Sequence, residues 1–161
     1  MNKGLTIMEL LLVIALLILG GILIKFRLGQ VERNNEIEET QTDLKEIEES
    51  IEELYDETGM DPGHISREPC VRHVELLLED CSAGLKCTDG AFSEWDGPYL
   101  KEIPEDSWGG SYYFDADYLC QKETTGCEDV PNTTKVRAIL SGGPDRSYKT
   151  TQDNIIKIIC E

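Results

Sequence analysis

Between Leu5 and Ile24 only Thr6 and Glu9 interrupt an apolar run, and about 20 such residues in a helix cross a bilayer. Beyond it the pattern narrows. Ile37, Leu44 and Ile51 recur every seventh position, with Ile47 and Leu54 between them. That is an a/d-type seam, a thin stripe suited to docking a globular head or neighbouring helices. No proline falls between Leu5 and Thr58, and the glycines there are Gly20, Gly21 and Gly29. One continuous helix of about 80 Å is therefore expected. Its soft point is Gly20-Gly21, since each glycine costs about 0.8–1.0 kcal/mol relative to alanine. Gly59 suits a left-handed cap and Pro62 prevents continuation, so the helix ends near Thr58.

After Pro62 the patterns are shorter. Val71, Val74, Leu77 and Leu78 stand at helical spacing, predicting a second helix over about 69–81, and Ser82 to Gly97 reads as loop. Runs rich in β-branched and aromatic residues predict strands at Ser111–Asp115, Lys135–Leu140 and Asn154–Cys160. Short connections favour an antiparallel meander laid across the helical stripe. The expected fold class is α+β, one long N-terminal helix packed under a small antiparallel sheet, with the first half of the helix membrane-spanning. The connection from Ala116 to Thr134 is the long one. Its Asn132-Thr133-Thr134 matches a glycosylation sequon, a pattern frequent by chance.

Charge narrows the class of partner. The formal charge is −17 at pH 7, which repels phosphate backbones, so no nucleic-acid partner is expected. From Glu36 to Glu57 the helix is dense in acids, and Lys45 is its one basic residue. A solvated face accounts for this, as does a surface that meets basic groups of a neighbouring subunit or bound cations.

Six cysteines follow the apolar segment and none lies in it, which reads as three disulfides in an extracytoplasmic part. Cys81–Cys87 and Cys120–Cys127 are close enough to close local loops, leaving Cys70 and Cys160 to pair, one of fifteen connectivities. Zinc is the rival, but there is no Cys-x2-Cys pair, and the histidines are only His64 and His73. With His64 in a loop, His73 in the expected second helix and no nucleophile motif around any serine, no enzymatic activity is expected.

A carboxylate in an apolar helix costs about 2.5–3.5 kcal/mol at the centre and less near an end. Glu9 therefore calls for a positive partner. Cleavage after Gly4 would provide one, the new amine of Leu5 on an adjacent chain. Here Gly4 | Leu5-Thr6-Ile7-Met8-Glu9-Leu10 resembles the type III signal of type IV prepilins and type II secretion pseudopilins. The resemblance implies that a prepilin peptidase cuts after Gly4 and methylates Leu5, and that Glu9 guides assembly of a helical filament. Leu5 stands where the family usually has phenylalanine. The divisions become a leader over 1–4, a transmembrane and filament-core helix over 5–26, its amphipathic continuation over 27–58 and a head over 59–161. A plain signal anchor is one blander alternative for Met1 to Ile24, and a secretory signal peptide is another. The latter wants a shorter apolar region, and the basic region here is Lys3 alone.

A second stretch, Gly97-Pro98-Tyr99-Leu100 through Pro104-Glu105-Asp106-Ser107-Trp108-Gly109-Gly110-Ser111-Tyr112-Tyr113, resembles the Trp-Gly run of major pseudopilins. Trp108 and Tyr112 would anchor a loop on the long helix, with Gly109-Gly110 allowing a sharp turn. Ser141-Gly142-Gly143-Pro144-Asp145 and Thr151-Gln152-Asp153-Asn154 look like that family's calcium loop. The resemblance implies a Ca²⁺ site using Asp145, Asp153 and a carbonyl such as that of Gly142. Gln152 stands where the family has an acid, and a plain turn with solvated acids stays open. The function implied is major pseudopilin of a type II secretion system, in the inner membrane, with minor pseudopilins, the assembly platform and copies of itself as partners. A type IV pilus subunit is the alternative, favoured by the cysteines, and a single-pass anchored binding domain the remote one.

Overall fold

The structure, a computed structural model, describes residues 7–150 and 152–160. The processing residues Gly4 and Leu5 lie outside the described residues. The chain forms two compact units, one ending at Glu36 and the other running from Ile37 to Glu161. Helix α1, Ile7–Thr58, contributes to both. It is long and apolar enough over its first half to span a membrane, and none of that stretch is buried. Leu17 is 70% exposed and Leu23 65%. It ends as expected: the Gly59 amide donates to the Tyr55 carbonyl with Gly59 at φ 70°.

Within the second unit the seam is buried. Leu44, Ile47, Ile51 and Leu54 are at most 1% exposed, and full burial of such side chains stabilises by about 1.5–3 kcal/mol each. They share a core with Phe114, Ile139 and Ile155 of an antiparallel sheet. Its strands are β1 (Glu75–Leu77), β2 (Tyr112–Leu119), β3 (Lys135–Ser141) and β4 (Ile155–Cys160), in the order β1-β2-β3-β4. β2 alternates in burial, because successive side chains point to opposite faces. Tyr112, Phe114 and Ala116 join the helix-side core, and a bulge follows Asp115. On the other face Tyr118, Val136, Ala138, Leu140 and Ile156 form a second cluster closed over by Cys120 and Cys127. The layout is α+β and pilin-like, with four strands rather than three.

The second helix over 69–81 does not form, and His73 is therefore not helical. Arg72 and Val74 instead bond to β2 on both sides of Ala116, and β1 pairs Glu75 with Asp115 and Leu77 with Tyr113. A short apolar run serves helix or strand equally well by spacing alone; unpaired backbone on β2 decided the matter. Only a 3-10 turn, Cys81–Ala83, remains of helical geometry there. β2 also runs to Leu119, so the long connection begins at Cys120.

The cysteines pair as Cys70–Cys160, Cys81–Cys87 and Cys120–Cys127. The first ties the segment before β1 to the end of β4 across a separation of 90 residues.

Candidate functional site

Glu9 lies in the first turn of α1 and is exposed, beside Met8, Leu12 and Val13. A carboxylate is favourable at a helix N-terminus because it complements the helix dipole. Around it Met8 is 77% and Leu12 61% exposed. Exposed apolar surface on this scale belongs against lipid or other apolar helices.

The Trp-Gly run forms a turn built on Asp106, which is 4% exposed. One carboxylate oxygen accepts the amides of Trp108 (3.0 Å) and Gly110 (2.6 Å), and the other accepts the Ser141 hydroxyl (2.5 Å). Gly110 is needed for close approach, since a Cβ there would stand 2.8 Å from the Asp106 carboxylate. The turn is fastened to α1 by polar contacts. The Thr40 hydroxyl meets Ser107 Oγ at 3.3 Å, and the Ser107 hydroxyl donates to Glu39 at 3.1 Å. The Tyr112 hydroxyl donates to Asp43 at 2.9 Å. Burial and the adjacent Asp43 carboxylate push the Tyr112 phenol far above its ordinary value. Trp108 packs half-buried against the helix-side core. The sequence pointed to Trp108 and Tyr112 as anchors; Asp106, the hub, was missed although it lies within the same Trp-Gly run.

At the loop after β3, Gly142 precedes a 3-10 turn, Gly143–Asp145. Asp145 accepts the Ser147 amide (2.8 Å) and the Thr150 hydroxyl (2.5 Å), so the loop closes on its own hydrogen bonds. Gly143, at φ 64°, lies so near the Asp153 carbonyl that a Cβ would stand 2.0 Å from it. The two ends of the loop thus meet through backbone. Carboxylate and carbonyl oxygens are the hard donors that calcium takes, so Asp145, Asp153 and the Gly142 carbonyl fit in chemistry. Among the described residues no three His, Cys, Asp or Glu side chains gather to hold a metal. Carbonyls would have to supply the remaining ligands.

Two further polar clusters were not legible in advance. Arg137, fully buried, donates to Asp61 and to the carbonyls of Ser66 (3.1 Å) and Pro69 (3.2 Å). Asp61 also accepts from Arg67 at 3.0 Å; Arg67 reaches Glu52 at 2.7 Å and lies 3.8 Å above the Tyr55 ring. This network clamps the segment after α1 against both helix and sheet. On the outer face of the sheet, Asp115 sits directly across from Glu75. Burial, with Asp117 and Glu75 beside it, raises its carboxyl to about 6. Asp117 is lowered instead, chiefly by its hydrogen bond to Lys135 at 2.7 Å, with His73 adding to the effect.

Comparison of the chain with protein-family models, with curated proteins and with solved structures found no match.

Proposed function

We propose that this chain is the structural subunit of a pilus-like filament, most specifically the major pseudopilin of a type II secretion system acting in protein export. One observation carries the reading: the sequence Gly4 | Leu5 to Glu9 stands at the head of an apolar run that, from Ile7 to Val31, is helix with its large apolar side chains exposed. Such a helix has lipid as its environment before assembly and other copies of itself afterwards. Glu9, in its first turn, then meets the Leu5 amine of an adjacent copy after cleavage. Three disulfides support an extracytoplasmic head, on a single-pass helix in the inner membrane. The assembly partners are the prepilin peptidase, minor pseudopilins and the inner-membrane platform. A calcium ion on Asp145 and Asp153 belongs to the same reading.

The three disulfides favour one second reading, a type IV pilus subunit displayed outside the cell. N-terminal sequencing and electron microscopy test both. The mature chain should begin at Leu5, Gly4→Val should leave an unprocessed membrane precursor, and Glu9→Ala should be cleaved yet assemble poorly. Abundant assembled subunits that retain Met1 to Gly4 would overturn the filament reading. Long external fibres under normal expression would select the pilus over the pseudopilin.

A further inference from the structure

β4 is an edge of the sheet, and among the described residues only Thr125 pairs with its outer side, through a parallel bridge to Ile155. The Ile156 amide donates to the Thr125 carbonyl at 2.9 Å. The Ile156 carbonyl faces the same way, because a Cβ on Gly126 would stand 2.2 Å from it. Backbone direction along a strand repeats every two residues, so the amide and carbonyl of Ile158 also point outward from the edge. The chain pairs with this edge at Thr125 alone among the described residues and then turns away at Gly126, φ 101°. Where it departs, a groove of about 410 Å³ opens between β4 and α1, lined by Leu44, Lys45, Gly126, Ile156, Lys157 and Ile158 among others.

Unpaired edges are templates for an added strand, and extended peptides are recognised in this way by main-chain hydrogen bonds, with alternate side chains giving specificity. The two faces of an added strand would differ here. On the helix side stand Lys45 and Lys157, and among the described residues no acidic side chain lines the groove, in a chain of charge −17. Both lysines reach their own glutamates, Glu49 at 3.8 Å and Glu48 at 3.3 Å. The Lys45–Glu49 pair is solvent-exposed and weak enough to exchange; Lys157 is 44% exposed beside a half-buried Glu48, which leaves its ammonium open to a second carboxylate. On the opposite face Ile156 and Ile158 belong to the outer apolar cluster.

We propose that the β4 edge binds an extended, acidic peptide segment of another protein by strand addition, its carboxylates toward Lys45 and Lys157 and its alternate apolar side chains beside Ile156 and Ile158. The occupant is a different protein because the acid-rich stretch of this chain, Glu36 to Glu57, is already helix. The inference does not depend on filament assembly.

The test uses the full chain in detergent micelles and a fluorescently labelled peptide of alternating valine and glutamate, read by anisotropy. Saturable binding is expected, weakening at least tenfold in Lys45→Glu/Lys157→Glu and falling as salt rises from 0.15 to 0.5 M. Ile158→Pro removes one outward amide without touching the β3 pairing, a position where an edge strand tolerates proline. It too should lose at least tenfold. A peptide methylated on alternate backbone amides keeps every side chain, leaves the protein unaltered and should not bind. Equal binding of the methylated peptide, equal binding of a valine–lysine peptide, or no binding at all would overturn the proposal. Self-association abolished by Ile158→Pro, without peptide binding, would give the edge to a second copy and overturn it as well.

Discussion

Asp61→Asn is the sharpest probe of what holds the head together. Asp61 is fully buried, with one carboxylate oxygen facing Arg137 and the other facing Arg67. Asparagine keeps the shape but replaces one acceptor oxygen with an NH₂ aimed at a guanidinium. It also removes the charge that keeps Arg137 and Arg67 together. Arg67 retains Glu52 and some solvent, its side chain being 23% exposed. Arg137 retains only the two carbonyls, in a side chain 0% exposed. Removing one partner of a buried pair costs about 3–5 kcal/mol, and the Arg137 side of the network carries most of that. At about 4 °C per kcal/mol for a head of this size, the melting temperature should fall by roughly 12–20 °C. The assay is thermal unfolding of the full chain in detergent, disulfides intact, followed by near-ultraviolet circular dichroism. Glu52→Gln is the control, its side chain being 46% exposed, and should change stability by less than about 1 kcal/mol. An Asp61→Asn protein within about 1 kcal/mol of wild type, or no less stable than Glu52→Gln, would refute the reasoning.

The Asp115 carboxyl, raised to about 6 in the fold, binds its proton more tightly folded than unfolded. Its favourable contribution is present below about pH 4 and lost as pH rises through 6; Asp115→Asn should thus stabilise by about 1–2 kcal/mol at pH 7, after allowance for screening, and by nothing near pH 4. Urea titrations at the two pH values would show it, and an equal effect at both would contradict the assignment. Among the disulfides, Cys70–Cys160 closes the largest loop, and its loss should cost about 4–5 kcal/mol, against about 2–3 for Cys81–Cys87; the reverse order in paired serine variants would refute loop entropy as the cause. Because the Asp145 loop closes on its own hydrogen bonds, a chelator should lower the melting temperature only modestly and calcium should restore it. Asp153→Ala should abolish that response, and an unchanged wild-type melt would dismiss the ion.

The sequence by itself determined what local periodicity encodes. The apolar run, the seven-residue seam and the Gly59 stop are contiguous signals, and α1 realises them from Ile7 to Thr58. The three longer strands were legible for the same reason, each being β-rich and bounded by turn residues. The two short-range disulfides followed from spacing, and Cys70–Cys160 from what they left over. Other features were decided only when the chain folded. Val71 to Leu78 carries too few residues to choose between helix and strand; the free edge of β2 made the choice. Arg137 lies in a strand that reads as ordinary, and its partner Asp61 is 76 residues away. Such pairings depend on which polar groups lose water together, and that is set by packing rather than by any run of neighbours. The open edge beside Gly126 is of the same kind, set by a sheet that ends at β4 and a chain that turns away after Thr125.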